Sequence, residues 1–459
     1  MNSHFANDAT EALGKRPIPW LLLSYSLPAM LGLIAIALYE TIDRIFVGQF
    51  VGNEGLAIMA VGMPYVILLT AFCVMLRIGG SSVISRFLGE GDQKMTEKAL
   101  GTSFALLAAG GILLAVAGNL FAPAIARISG ATEQMLLDTA QYIMILSTGA
   151  PFLFIGNGAN ALMRATGSPR KGLGLIVSSC VANVLLDFLF VAYWEWGVPG
   201  AAWATVLSQA LGAGYGIWHF TRPTSPVRLY WQSLGFTSVL VREIIGVGFA
   251  YAMFELNFLV VVTLANHMLE SYGSTLALAS VAVVNSCVTI LYMPVTGLDE
   301  GLQPIIGYNF GAKNRERVVK ATKYALGIGL VFFLVIFSII QVGAEYVVAV
   351  FIDDNPEFIA MTANALRLTF ILAPLMAFMI VIPGILSALG EARFNFILSV
   401  AIQFVVQIPA LLLLPRWLGI NGVWLTFPLV DMVAAILGSI FLYKSFRRHG
   451  LLIARSTKV

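Results

Sequence analysis

Asp43 and Asp187 are carboxylates set in long apolar stretches. Withdrawn from water, an ionised and unpaired acid costs several kcal/mol, so it is kept to hold a proton, a cation or a charged passenger. The pair points to ion-coupled transport. Asn183 and Asp187 are one helical turn apart and share a face. An amide carbonyl beside a carboxylate offers hard oxygen ligands for Na+, or a hydrogen-bonded acid for H+. Thr205 can add a hydroxyl and Tyr142 a phenol. Glu40 precedes Arg44 by one turn, the favourable order for an ion pair on a helix, so Glu40 is expected to occupy Arg44 and leave Asp43 free. Pro28, in the same run, removes a backbone donor and predicts a kink, either a static bend or a candidate conformational hinge. Glu255 is expected to meet substrate charge or act as a secondary coupling residue, and Asp299 and Glu300 to support a gate at the inner end of the eighth helix.

These side chains must be carried by membrane-spanning helices. Of 459 residues, 59% are hydrophobic and 11% charged, too little polar surface to cover a water-soluble globule. The apolar runs are each roughly 20 residues or longer, enough for a helix to cross ~30 Å of hydrocarbon and twice what a barrel strand needs. Twelve spans are predicted: 20–47, 55–84, 99–121, 137–162, 172–193, 198–220, 242–266, 275–298, 322–344, 360–387, 395–415 and 421–443. The polar first 19 residues lack an apolar core with a small-residue cleavage site, so no removable signal peptide is expected.

Charge sets the orientation. With the N-terminus cytoplasmic, Arg127 and Arg416 fall outside, Arg44, Arg77 and Arg367 fall within spans, and the other Lys and Arg gather inside, as the positive-inside rule requires. The loop after the ninth span carries Glu345, Asp353, Asp354 and Glu357, whereas the preceding inner loop carries Lys313, Arg315, Arg317 and Lys320. A multi-pass protein of the plasma membrane, the inner membrane of a bacterium, with both termini cytoplasmic follows. Headgroup contact accounts for the basic clusters, and no nucleic-acid partner is expected. Cys73, Cys180 and Cys287 fall far apart in predicted spans and suggest neither disulfides nor a structural metal. Met30, Met59, Met63 and Met75 are read as apolar filler.

An internal repeat divides the chain. Gly79 to Leu106 aligns with Gly301 to Leu326, Leu162 to Lys171 with Ile385 to Arg393, and the segment ending at Trp203 with that ending at Trp424, all at a nearly constant spacing. Six spans per half give both halves the same orientation, related by an axis along the membrane normal. The expected fold is an all-α integral membrane protein with twelve transmembrane helices in two six-helix lobes related by a pseudo-twofold. Its parts are a tail over 1–19, a first lobe over 20–220, a linker over 221–241, a second lobe over 242–443 and a basic tail over 444–459. The repeat carries Asp43 and Asp187 onto Ala265 and Pro409, so coupling is expected in one lobe alone.

Four stretches give the chain a family resemblance: TIDRIFVGQFVGNEGLAIMAVG (41–62), MRATGSPRKG (163–172), NVLLDFLF (183–190) and PVTGLDEGLQPIIGYNFGAKN (294–314). It resembles the multidrug and toxic compound extrusion (MATE) transporters over residues 20–445. The resemblance implies export of bulky, often cationic organic molecules in exchange for H+ or Na+ by alternating access, without a cofactor and as a monomer. It also implies that Asp43, Asn183, Asp187, Thr205 and Tyr142 form the amino-lobe cation or proton site, with Na+ transient at Asp43, Asn183, Asp187 and Thr205. Another branch of the family pairs an acid at the position of Glu255 with an Asp on the tenth helix, which this chain lacks. A flippase of lipid-linked or polysaccharide intermediates is the alternative. No HExxH, no GxxxxGK[ST] and no cluster among His4, His219, His267 and His449 is present, so an enzyme is disfavoured.

Overall fold

A computed structural model describes residues 12–272, 275–351 and 356–452; Asp353 and Asp354 lie outside the described residues. The first half consists of α1 Ile18–Phe50, α2 Asn53–Glu90, α3 Gln93–Ile128, α4 Leu136–Ala165, α5 Pro169–Asp187 with a π-helical extension Phe188–Tyr193, and α6 Gly197–Thr221. The second half consists of α7 Ser238–Tyr272, α8 Thr275–Gly311, α9 Arg315–Ala349, α10 Pro356–Thr369, α11 Ala373–Ala388, α12 Ala392–Val400, a π-helical stretch Ala401–Gln407, α13 Ile408–Leu418 and α14 Ile420–Arg448.

Local chemistry sets the breaks. Gly52 holds φ at 90° between α1 and α2, and Gly91 at 75° after α2, conformations that a side chain disfavours. Asp92 then caps α3, its carboxylate accepting from the Met95 amide at 2.9 Å. Among the described residues nine helices are long and apolar enough to cross a membrane. The predicted tenth span differs from a single rod: α10 and α11 meet at 51°, because Pro374 opens α11 and withholds a backbone donor there. With that pair as one span and α6 and α8 long enough to cross, the architecture is the twelve-helix, two-lobe fold. α1 runs without interruption through Pro28.

Large apolar side chains face outward all round, Leu113 at 68%, Leu120 at 70% and Val342 at 84% exposure, as lipid contact demands. The connection between the halves is packed in place: Val227 is buried, and the Ser233 carbonyl sits against Gly101 of α3.

The halves meet along α1 and α2 on one side and α7 and α8 on the other. At one end the seam is backbone on backbone: a side chain at Gly89 would strike the Tyr308 carbonyl, and one at Gly311 the Arg86 carbonyl. Gly79 lies likewise against Ile244, and Gly248 against Met75. Gly89 and Gly311 are repeat partners, so the seam has the twofold character of the whole. The Ser82 hydroxyl adds a hydrogen bond across it to the Ser387 carbonyl. The described chain ends lie at this same end: Asn309 donates to the Leu13 carbonyl at 3.0 Å, and Arg315 reaches the Gly450 carbonyl at 3.4 Å.

Candidate functional site

Closing the seam at one end leaves a cavity of about 850 Å³ that runs along the first half toward the α1–α2 turn. Its walls carry Glu40, Asp43 and Arg44 from α1, Tyr142 from α4, Asn183 from α5 and Thr205 from α6, with Arg77, Glu255 and Glu300 at the closed end. Asp187 is not part of the lining. It is 0% exposed, one turn behind the 1% exposed Asn183.

Polar atoms accumulate there without partners. Both Asp187 oxygens, both amide atoms of Asn183 and Oδ1 of Asp43 are buried and make no hydrogen bond among the described residues. Such atoms cost about 1–3 kcal/mol each when left unmet, and more when charged, so the sequence sustains a local penalty that a proton or small cation relieves. The Asp43 carboxylate is the charge that acts on Asp187, and it acts on the Tyr142 phenol as well. Asp187 also ends α5 where the wider π-helical turn begins, a distortion frequent at functional sites. The chemistry of this set suits a proton on either carboxylate, or a cation met by carboxylate, amide and hydroxyl oxygens, with Thr205 also lining the cavity.

The MatE family signature matches residues 28–189 and 248–413, one block in each half. The chain belongs to the MatE family. Curated MatE-like relatives include the multidrug export protein MepA of Staphylococcus haemolyticus (strain JCSC1435), 26% identical over 422 residues that span 92% of each chain. The fold matches a crystal structure of MATE in the bent conformation, with a TM-score of 0.89 and 23% identity over 96% of this chain and 98% of that one. It also matches an outward-facing conformation of a multidrug resistance MATE family transporter of the MOP superfamily, with a TM-score of 0.86 and 24% identity over the same shares.

Against this MatE frame, Asp43, Asn183, Thr205 and Tyr142 converge on one cavity and Asp187 stands directly behind it. The expected Glu40–Arg44 pair needs correction. Among the described residues these two form no contact ion pair, and the Arg44 charge acts on Asp43 as well as on Glu40. Both side chains are exposed to the cavity, where water screens the attraction and an ion pair gains at most ~1 kcal/mol. Cys180, half-buried, lines the cavity, as does the more deeply set Cys73, while Cys287 is buried elsewhere. Met59 and Met63 also line the cavity.

The predicted fourth span stops at residue 162, short of Arg164, but α4 continues to Ala165 and Arg164 is 5% exposed. It reaches the Glu300 carboxylate of the other half at 2.9 Å, and Arg77 does so from α2 at 2.9 Å. Glu300 is therefore a buried bridge between lobes where a solvated gate residue was expected. Asp299, its neighbour, is 5% exposed and accepts from Gln303 at 2.8 Å.

Proposed function

We propose that this protein exports small organic, often cationic compounds in exchange for H+ or Na+, by alternating access between its two lobes. The observation that carries the reading is the unpartnered cluster of Asp43, Asn183 and Asp187 at the wall of a cavity large enough for a drug-sized molecule. The multidrug export activity named for the MepA relatives supports it.

Charge in the cavity favours cations. Glu40, Asp43, Glu255 and Glu300 line it against Arg44 and Arg77, and Glu300 is already matched by Arg77 and Arg164. An anionic lipid-linked intermediate would meet unmatched carboxylates, which disfavours the flippase alternative. The coupling ion enters from the open end, removes one negative charge from the Asp43 and Asp187 pair, and weakens the hold on a bound cation, which leaves by the same opening. The emptied lobes then rock to expose the cavity on the other face. By the positive-inside rule the sealed seam and both termini face the cytoplasm of a bacterial inner membrane. Each inward charge gains about 2.3 kcal/mol per 100 mV, equivalent to roughly fiftyfold accumulation of exported compound before any returning charge is counted.

The test is efflux of a cationic dye from proteoliposomes with pH and Na+ gradients imposed separately. Uphill dye movement under one gradient is expected, abolished by Asp43→Asn. Gradient-driven efflux that survives Asp43→Asn would remove Asp43 from coupling.

A further inference from the structure

A buried carboxylate in the second half lies away from the central cavity. Asp431 on α14 is 2% exposed, and its Oδ2 has no hydrogen-bond partner among the described residues. α14 packs against α7, α10, α11, α12, the Ala401–Gln407 stretch and α13. Of the groups these elements bring, Glu255 on α7 lines the central cavity beside Arg77, Arg367 on α10 pairs with Glu345, and Arg416 ends α13. Below α12, Glu391 pairs with Arg448 and His449. No ion pair to Asp431 forms among the described residues. Tyr292 of α8 is the titratable side chain within electrostatic reach of it.

At the same depth stands a set of buried amides. Gln407 and Asp431 are equally far in sequence from Gly419, where α13 turns back into α14, so each lies roughly 18 Å from that turn. Gln407 accepts from the Asn257 amide of α7 at 2.9 Å. Gln403, one turn on, is 2% exposed with its carbonyl oxygen unpartnered, as is the carbonyl oxygen of Asn257. The first half shows the same combination at Asp43, Asn183 and Asp187: orphaned acid and amide atoms beside a π-helical turn.

We propose that Asp431 is a second proton-binding site, buried in the second lobe, on a helix packed against the elements that carry the Asn257, Gln403 and Gln407 amides. A proton is the fitting ligand because one carboxylate oxygen suffices to hold it. The site goes beyond the exchange at Asp43 and Asp187 and adds a proton step in the lobe where the repeat predicts no acid.

The test is infrared difference spectroscopy of the full-length protein in detergent, stepped from about pH 4, within the ordinary carboxyl range, to about pH 10, far above it. A carboxylic C=O band that titrates in the wild type is expected to vanish in Asp431→Asn and to persist in the Asp43→Asn/Asp187→Asn double variant. A wild-type spectrum unchanged by Asp431→Asn overturns the proposal, as does loss of every titrating band in the double variant. In proteoliposomes, protons taken up per dye released fall in Asp431→Asn; an unaltered ratio overturns the site, since a purely structural carboxylate leaves that ratio alone. If Asp431→Asn does not fold, Asp431→Glu keeps the acid: a shifted band supports the assignment and an unmoved one overturns it.

Discussion

Arg77 of α2 and Glu300 of α8 meet at 2.9 Å with side chains 19% and 10% exposed, and Arg164 of α4 takes the second oxygen of the same carboxylate. Two guanidinium groups of one lobe thus grip one carboxylate of the other where the cavity ends. Removing one partner of a buried charge group costs about 3–5 kcal/mol, most of it from the charge left behind. Opening the seam without rehydrating these groups would therefore strand a charge, which ties its parting to the fate of Glu300.

Glu300→Gln should part that seam. Spin labels on the ends of α2 and α8 nearest Gly89 and Gly311 are expected to report a new, longer distance population, and dye efflux should fall at least ~tenfold. A distance distribution identical to that of the wild type would argue against the latch.

Asp187→Asn should leave the melting temperature within a few degrees, because it removes a charge without changing shape, and should abolish uphill efflux while downhill equilibration of dye continues. Melting and both transport modes, measured on one preparation, check the separation.

Dye affinity should depend on pH with a fixed sign. Proton binding removes charge from Asp43 and Asp187, so a cationic dye binds best at high pH and is released as pH falls. Fluorescence polarisation titrations should show affinity falling by at least ~tenfold as pH is lowered, and a flat profile in the Asp43→Asn/Asp187→Asn double variant. Tighter binding at low pH in the wild type would contradict the exchange.

Gly89→Val and Gly248→Val should each destabilise the closed seam by about 1–3 kcal/mol, since the new methyls would meet backbone carbonyls that cannot yield. Gly327→Ala on α9, which faces open space, should be neutral or stabilising by up to ~1 kcal/mol. Thermal melting of the three variants, with alkylation of a cysteine placed at the seam, distinguishes a specific opening from general damage.

Hydropathy and charge made the helices legible, because crossing hydrocarbon leaves few other options for a backbone. Asp43, Asn183 and Asp187 were legible for the same reason: a polar atom in an apolar run is conspicuous. What stayed hidden depended on pairing across the fold. Nothing local marks Glu300 as the partner of Arg77 and Arg164, and a span ended three residues short left Arg164 out of the membrane. The bend at Pro374 and the π-helical turns after Asp187 and Val400 are changes of hydrogen-bond register that hydrophobic periodicity does not encode. Asp431 lies away from the repeat positions of Asp43 and Asp187, so the internal repeat does not mark it.

The bare-backbone contacts at Gly79, Gly89, Gly248 and Gly311 bear on how often such a joint can be used. Surfaces that mesh through interlocking side chains must reshuffle rotamers each time they separate, whereas two smooth ridges come apart and rejoin with little rearrangement. The molecule thus divides its labour: the glycines make the hinge face nearly frictionless, and the charged clasp at Glu300 decides when it opens.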